Sequence, residues 1–281
     1  MTLLSHNVPP RSATASKIQA VIFDWAGTMV DFGSLAPVRT IQRVFDEFGV
    51  AIDEAEVRSD MGLPKRDHIA RILSIPRVQT AWQLLYGAPP VQTDIDRLYA
   101  RFVPLQFGCL CGYSSVIEGV PEAVENLRRR RLRIGSTTGY TRAMLDLLVE
   151  QSAREGFAPD CRLSPEDVGA GRPHPFMIFE TAVRLKVYPL AAIVKVGDTV
   201  ADIQEGLNAG AWSVGVVKTG NMIGLSKADL DALPAPDLAR RLKWGRDEFE
   251  KAGAHYVIDT LDEFDCVLDE IDAQLHAAVV R

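Results

Sequence analysis

The stretch Val21-Ile22-Phe23-Asp24-Trp25-Ala26-Gly27-Thr28 constrains this chain more than any other. Three apolar residues run into an aspartate, and a small, turn-prone segment follows. A short apolar run bounded by glycine reads as a buried strand of a parallel sheet, here over residues 18–24. Open α/β sheets bind ligands off the carboxyl ends of their strands, and Asp24 sits at such an end. A carboxylate there serves as a nucleophile toward phosphorus or as a metal ligand. The other reading of Asp24 is a cap on the next turn.

Helices are expected next. Val38, Ile41, Val44, Phe45 and Phe48 make one apolar face after Pro37, with Gly49 as a stop. Pro64 suits the first position of a helix that carries Ile69, Ile72 and Leu73 inward. Thr93 is expected to cap a further helix, with Asp94 and Asp96 in its first turn, and Pro104 to kink or end it. Residues 32–113 thus hold helices and no strand, an all-helical insertion that forms a separate small domain. Strands are expected at 133–138, 161–163, 192–198, 212–217 and 256–258, with helices at 120–131, 141–154, 175–185, 199–209 and 261–279 and a charged helical stretch at 222–251. Such alternation means a parallel sheet with helices on both faces, built from residues 18–31 and 114–281. Residues 1–17 read as a loose polar tail.

Composition excludes some classes. The 281 residues are 47% hydrophobic and 24% charged, ordinary for a globular protein. A net charge of -6 argues against nucleic-acid binding. There is no apolar run of about 18 residues to span a membrane, and residues 1–17 lack the apolar core of a secretory signal. Cys109, Cys111, Cys161 and Cys266 show no zinc spacing. Cys109 and Cys111 read as two buried free thiols rather than a metal pair, a pattern suited to a reducing cytoplasm. Arg128 to Arg131 and Arg133 read as a solvated helix end.

Asp24, Thr138, Arg172 and Asp198 with Asp202 fall in order at strand ends or in the loops that follow. This pattern, with an insertion after the first strand, resembles the haloacid dehalogenase superfamily across residues 18–258. The resemblance implies an α/β fold, a Rossmann-like parallel sheet core with an inserted all-helical cap domain at 32–113. It also implies roles. Asp24 attacks phosphorus, Thr138 hydrogen-bonds phosphate oxygens, Gly139 lets the backbone come close, and Arg172 offsets negative charge. Mg²⁺ would sit on Asp24, the backbone carbonyl of Ala26 and Asp198, with Asp202 orienting these ligands from behind.

Ala26 departs from that pattern. Most phosphatases of the superfamily carry an aspartate there to protonate the leaving oxygen, a contribution of about 10²- to 10⁴-fold. Lys65, just after Pro64 in the insertion, answers the loss. Its amine can condense with an aldehyde to an imine, and an imine beta to phosphorus accepts the electron pair of a breaking C–P bond. His68, three residues on, would shuttle protons during imine formation. Asp24–Thr28, Met61–Lys65, Gly135–Thr141, Ala170–Pro173 and Val196–Thr199 together resemble the phosphonoacetaldehyde hydrolases. That resemblance implies Mg²⁺ as cofactor, a small phosphonate substrate cleaved to acetaldehyde and phosphate, a homodimer through the cap, and Met61, Gly62 and Tyr140 lining the pocket. The rival expectation is a phosphatase or phosphosugar mutase of the same superfamily, which would want an acid at position 26.

Overall fold

The computed structural model describes residues 17–279, so the expected tail lies outside the described residues apart from Lys17. Six strands form one sheet: β1 (Ala20–Phe23), β2 (Arg133–Thr137), β3 (Cys161–Leu163), β4 (Ile193–Gly197), β5 (Trp212–Val216) and β6 (Tyr256–Ile258). All pairs are parallel, in the order β3-β2-β1-β4-β5-β6. β1 and β4 are buried along their whole length, as central strands covered on both faces must be. Val21 and Phe23 face one apolar cluster, and Ala20 and Ile22 face another.

Between β1 and β2 lie α1 (Leu35–Glu47), α2 (Glu54–Arg58), α3 (Lys65–Ser74), α4 (Pro76–Tyr86), α5 (Gln92–Leu110) and α6 (Val120–Arg129). Then α7 (Arg142–Ala153) leads to β3, and α8 (Pro165–Val168) with α9 (Phe176–Leu185) to β4. Next α10 (Val200–Ala209) leads to β5, and α11 (Lys227–Asp231) with α12 (Ala235–Lys251) to β6. Finally α13 (Phe264–Val279) ends the described chain. No described helix is long and apolar enough to cross a membrane.

The chain steps from β1 to β2 and β3 on one side, then returns to place β4 on the other side of β1. Strand order reverses there, and the crevice at such a switch point is where open sheets hold ligands. Register brings the strand ends level. Phe23 pairs with Ser136 on one side and Val196 on the other, so Asp24 emerges between Thr137 and Gly197. Aromatic packing holds this end still: Phe23 meets Phe157 and Phe264 edge-on, and Trp25 meets Phe157 at 5.0 Å between centroids. Each such pair contributes about 0.5–1.5 kcal/mol beyond its buried area.

Three local expectations are corrected. The α5 helix begins at Gln92, so Thr93 lies inside it, and Asp94 accepts the Val91 backbone N–H at 3.0 Å in the capping role. Pro104 neither ends nor interrupts α5; it sits on the exposed face, as does Ala100, whose carbonyl it deprives of a donor. Cys109 is half-buried and Cys111 exposed, rather than both buried, although both are free. The arginine run behaves as expected, with Arg128 on Asp160 at 2.6 Å and Arg130 on Asp269 at 2.8 Å at the surface.

Candidate active site

The loop after β1 is shaped around Asp24 and Asp198. The β-ladder reaches Asp24, whose N–H donates to the Val196 carbonyl at 2.9 Å. Gly27 then takes φ +84, and a Cβ on it would stand 2.2 Å from Asp198 Oδ2. Glycine is needed at that point both for the left-handed turn and for the close approach. Asp198 leaves the end of β4 and accepts from the Asn221 N–H at 2.8 Å and from the Thr28 hydroxyl at 3.4 Å.

A narrow cleft opens over these strand ends. Its walls include Asp24, Ala26, Thr138, Gly139, Tyr140, Arg172 and Asp198 from the sheet side, and Met61, Gly62 and Lys65 from the helical insertion. Ser34, Pro37 and Thr199 complete it. All the predicted site residues except His68 and Asp202 line this cleft, and Asp202 lies behind it, with an oxygen within 4.8 Å of those of Asp24 and Asp198. The approach of the insertion is close. A Cβ on Gly62 would lie 2.3 Å from Thr199 Oγ1, one on Gly139 2.6 Å from the Leu63 carbonyl, and one on Gly171 2.5 Å from Pro64 Cγ.

Beneath the cleft lies a buried network of charges. Arg172 reaches Asp24 at 2.7 Å, Asp202 at 3.0 Å and Glu205 at 3.0 Å, each from a different guanidinium nitrogen. It also donates to the Thr137 carbonyl at 2.7 Å. Lys195, fully buried in the middle of β4, meets Asp202 at 2.8 Å and Glu205 at 3.4 Å and donates to Thr137 Oγ1 at 3.1 Å. The Thr199 hydroxyl donates to the other Asp202 oxygen at 2.5 Å, and that carboxylate caps α10. Burial pushes the Asp202 carboxyl up, but Arg172 and Lys195 outweigh it and hold it below the usual range. Burial opposes the Arg172 charge, yet Asp202, Asp24 and Glu205 hold the guanidinium more firmly protonated than usual.

Asp198 moves the other way. Burial first, then the charges of Asp24 and Asp202, push its carboxyl well above the usual range. Asp24, Asp198 and Asp202 each offer an oxygen within 4.8 Å of the others. So concentrated a set of hard oxygen donors, with excess negative charge, fits a divalent cation.

On the insertion side, Lys65 is 6% exposed, its Nζ 3.9 Å from Met61 Sδ and 5.4 Å from the centre of the Tyr140 ring. Burial lowers its pKa to about 8, against the upward pull of Asp24. Burial likewise holds the Tyr140 phenol well above 10, so it stays protonated, and its oxygen has no partner among the described residues. The Tyr140 N–H donates to Thr138 Oγ1 at 3.1 Å. His68 is fully buried and outside the cleft lining. Its Nε2 lies 2.7 Å from the Val57 carbonyl, and Nδ1 has no partner among the described residues. Burial and the neighbouring Lys65 charge lower its pKa to about 3.

Lys195 and Glu205 escaped the sequence reading. Each had a signal. A lysine between Val194 and Val196 breaks an apolar strand, and Glu205 follows Asp202 by three residues on one face of α10.

A family model described as haloacid dehalogenase-like hydrolase matches residues 18–210. A phosphonoacetaldehyde hydrolase of Bacillus cereus (strain AH820) is 42% identical over 258 residues, covering 92% of this chain and 98% of its own. The crystal structure of a phosphonoacetaldehyde hydrolase-like protein from Oleispira antarctica superposes with a TM-score of 0.92 at 35% identity, over 98% of this chain and 99% of that one. A putative phosphoglycolate phosphatase from Lactobacillus delbrueckii subsp. bulgaricus shares the fold, with a TM-score of 0.65 at 20% identity over 90% of this chain and 98% of that one. The chain belongs to the haloacid dehalogenase-like hydrolases and, within them, to the phosphonoacetaldehyde hydrolases.

Proposed function

We propose that this enzyme hydrolyses the C–P bond of phosphonoacetaldehyde, giving acetaldehyde and phosphate, through an imine on Lys65 and a phosphoryl group on Asp24. The observation that carries the mechanism is the placement of Lys65. Its amine is buried in the cleft that Asp24 also lines, and at position 26 the cleft offers only a methyl group. An amine with a pKa of about 8 is partly neutral at physiological pH, as attack on an aldehyde requires.

In this mechanism the Lys65 amine adds to the aldehyde carbon and water leaves, giving a protonated imine. A carboxylate oxygen of Asp24 attacks phosphorus, and the C–P electron pair moves into the imine to give an enamine. The group that leaves phosphorus is carbon, whose electron pair the imine takes up, and not an ester oxygen, so no acid is needed at position 26. Protonation of the enamine carbon and hydrolysis of the imine release acetaldehyde and free Lys65. A second water cleaves the aspartyl-phosphate. Arg172 holds Asp24 in place, and Thr138 with the backbone at Gly139 receives the phosphoryl oxygens. The Tyr140 phenol is a donor beside Lys65, while Met61 and Gly62 wall the aldehyde end. His68 donates from Nε2 to the Val57 carbonyl, and its low pKa keeps the ring neutral at physiological pH, so it adds no positive charge beside Lys65.

Magnesium is the ion proposed for Asp24, the Ala26 carbonyl and Asp198, with Asp202 anchoring the set. When bound, it supplies positive charge against the phosphonate oxygens and the attacking carboxylate. Residues 32–113 act as a cap that shuts water out. A homodimer through this cap and a cytoplasmic location complete the reading. They are supported by the exposed Leu84, Leu85, Tyr86 and Val91 on the insertion and by four free cysteines.

Borohydride provides the test. It should inactivate the enzyme only when phosphonoacetaldehyde or acetaldehyde is present, with the reduced adduct on the peptide that carries Lys65. Lys65→Arg should lose C–P cleavage almost wholly, because a guanidinium keeps the charge but forms no imine. Trapping at another lysine, or near-normal turnover by Lys65→Arg, sinks the mechanism.

A further inference from the structure

Arg58 and Asn221 do not line the cleft, yet they join its two halves. Arg58 ends α2 in the helical insertion; its Nε and Nη2 pair with Glu54 of the same helix at 2.7 and 2.6 Å, while its two Nη groups also reach across to other segments. Nη1 donates to the Gly33 carbonyl and to Asn221 Oδ1, both at 3.0 Å, and Nη2 to the Gly224 carbonyl at 2.9 Å. Asn221 answers with its Nδ2, which donates to the Arg58 carbonyl at 3.2 Å. The fit is tight: Gly224 has φ +69, and a Cβ there would lie 2.5 Å from Arg58 Nε. The Arg58 side chain is 13% exposed. Gly33 belongs to the link that carries the chain from β1 into the insertion, and its N–H donates to the Thr219 carbonyl at 2.7 Å. Guanidinium, link and the loop after β5 therefore form one clasp.

The clasp ends on Asp198. The backbone N–H of Asn221, whose side chain Arg58 holds, donates to Asp198 Oδ2 at 2.8 Å. Gly220 presses on the same carboxylate, since a Cβ on it would lie 2.2 Å from Asp198 Cβ. We propose that Arg58 is a positioning residue that makes the placement of Asp198 depend on the seating of the helical insertion against the core. With the insertion seated, Arg58 fixes the Asn221 side chain, and the Asn221 N–H then fixes one Asp198 oxygen. With it lifted, three acceptors lose their donor together and the loop that carries Asn221 is released. The inference rests on the reading of Asp198 as a metal ligand. Outer partners of this kind change metal affinity by about 10- to 100-fold when removed.

Calorimetric titration of Mg²⁺ into the substrate-free enzyme reads this without any turnover. Arg58→Met keeps the stem and removes the donors; Asn221→Ala keeps the backbone N–H and removes the link. Each is expected to weaken Mg²⁺ binding about tenfold or more, and the double variant about as much as the worse single, because both cut one link. Arg58→Lys should recover only part, since one ammonium cannot span the same three acceptors. Glu56→Gln, which breaks the ion pair of the same helix with Arg77, should leave Mg²⁺ affinity within about twofold. Unchanged Mg²⁺ affinity in Arg58→Met and Asn221→Ala overturns the proposal, as do losses that simply add. A wild type that binds no Mg²⁺ overturns it together with the metal reading. One that binds Mg²⁺ but leaves phosphonoacetaldehyde intact overturns the substrate reading alone.

Discussion

A free lysine amine is neutral in about one molecule in 2,500 at pH 7, whereas one with a pKa near 8 is neutral in about one in ten. For Lys65 the lowering to about 8 comes first from burial and is opposed by Asp24, so two tests separate the causes. The rate at which an amine-selective reagent labels Lys65, followed by mass spectrometry without added metal, should rise with pH through a midpoint near 8. In Asp24→Asn the upward pull is gone, and the midpoint should move lower still. A midpoint near 10.5 in the wild type would show that the amine is solvated. The same shift bears on stability. Between about pH 8 and 10.5 the unfolded chain holds the Lys65 proton and the folded chain does not, so this residue makes the fold more stable as pH rises through that window. Below pH 8 the full cost of burying the charge is present. At this scale the proposed chemistry was already suggested by the sequence, because Ala26 and Lys65 depart from what a phosphatase needs. It hid Lys195 and Glu205, because strand and helix periodicity says which face a residue takes but not which opposite charge waits there.

The segment from Gly62 to Pro64, which leads into α3, delivers Lys65 by touching the core at three places that have no room for a side chain or end on one. Gly62 meets Thr199, the Leu63 carbonyl meets Gly139, and Pro64 meets Gly171. Gly171 is the cleanest to test, since it does not line the cleft and is not among the positive-φ residues. In Gly171→Ala the new methyl collides with the proline ring, so the segment is pushed off its seat. The expected result is a loss of kcat of about tenfold or more, in line with what small misplacements of reacting groups cost. The melting temperature should change little. Near-normal kcat would mean that the segment seats elsewhere during turnover. Element types were legible because β1 is an apolar run, β4 and β5 are mostly so, and α1 and α6 have clean apolar faces. Boundaries were less so. Thr93 loses the capping role because Asp94 reaches back to Val91, and α2 was overlooked although Asp53 and Glu56 form a reciprocal cap at 2.8 and 2.9 Å. A five-residue helix has too few positions to show a period.

Across the whole molecule, the sheet's switch point and the insertion enclose four carboxylates, Asp24, Asp198, Asp202 and Glu205, against the two cations Arg172 and Lys195 that contact them. Buried like charges weaken the fold unless something offsets them. The sequence placed the site residues at the ends of parallel strands, but the switch point appears only with the strand order, and this imbalance only when β4 and α10 face each other. A divalent cation that binds the folded chain alone should therefore stabilise it, by about 2.7 kcal/mol at a hundred times its Kd. For a chain of this size that corresponds to a rise in melting temperature of roughly 5 °C. Thermal melts with and without Mg²⁺ measure it. Asp198→Asn removes one of the crowded charges, so its melting temperature without Mg²⁺ should equal or exceed that of the wild type. The rise with Mg²⁺ should nevertheless shrink to a degree or so, because an amide is a poorer ligand for a hard cation. A wild type indifferent to Mg²⁺ would mean that the carboxylates are neutralised by protons alone. An Asp198→Asn that melts far below the wild type would mean that Asp198 serves the fold through its contacts with Asn221 and Thr28 rather than as a charge held ready for an ion.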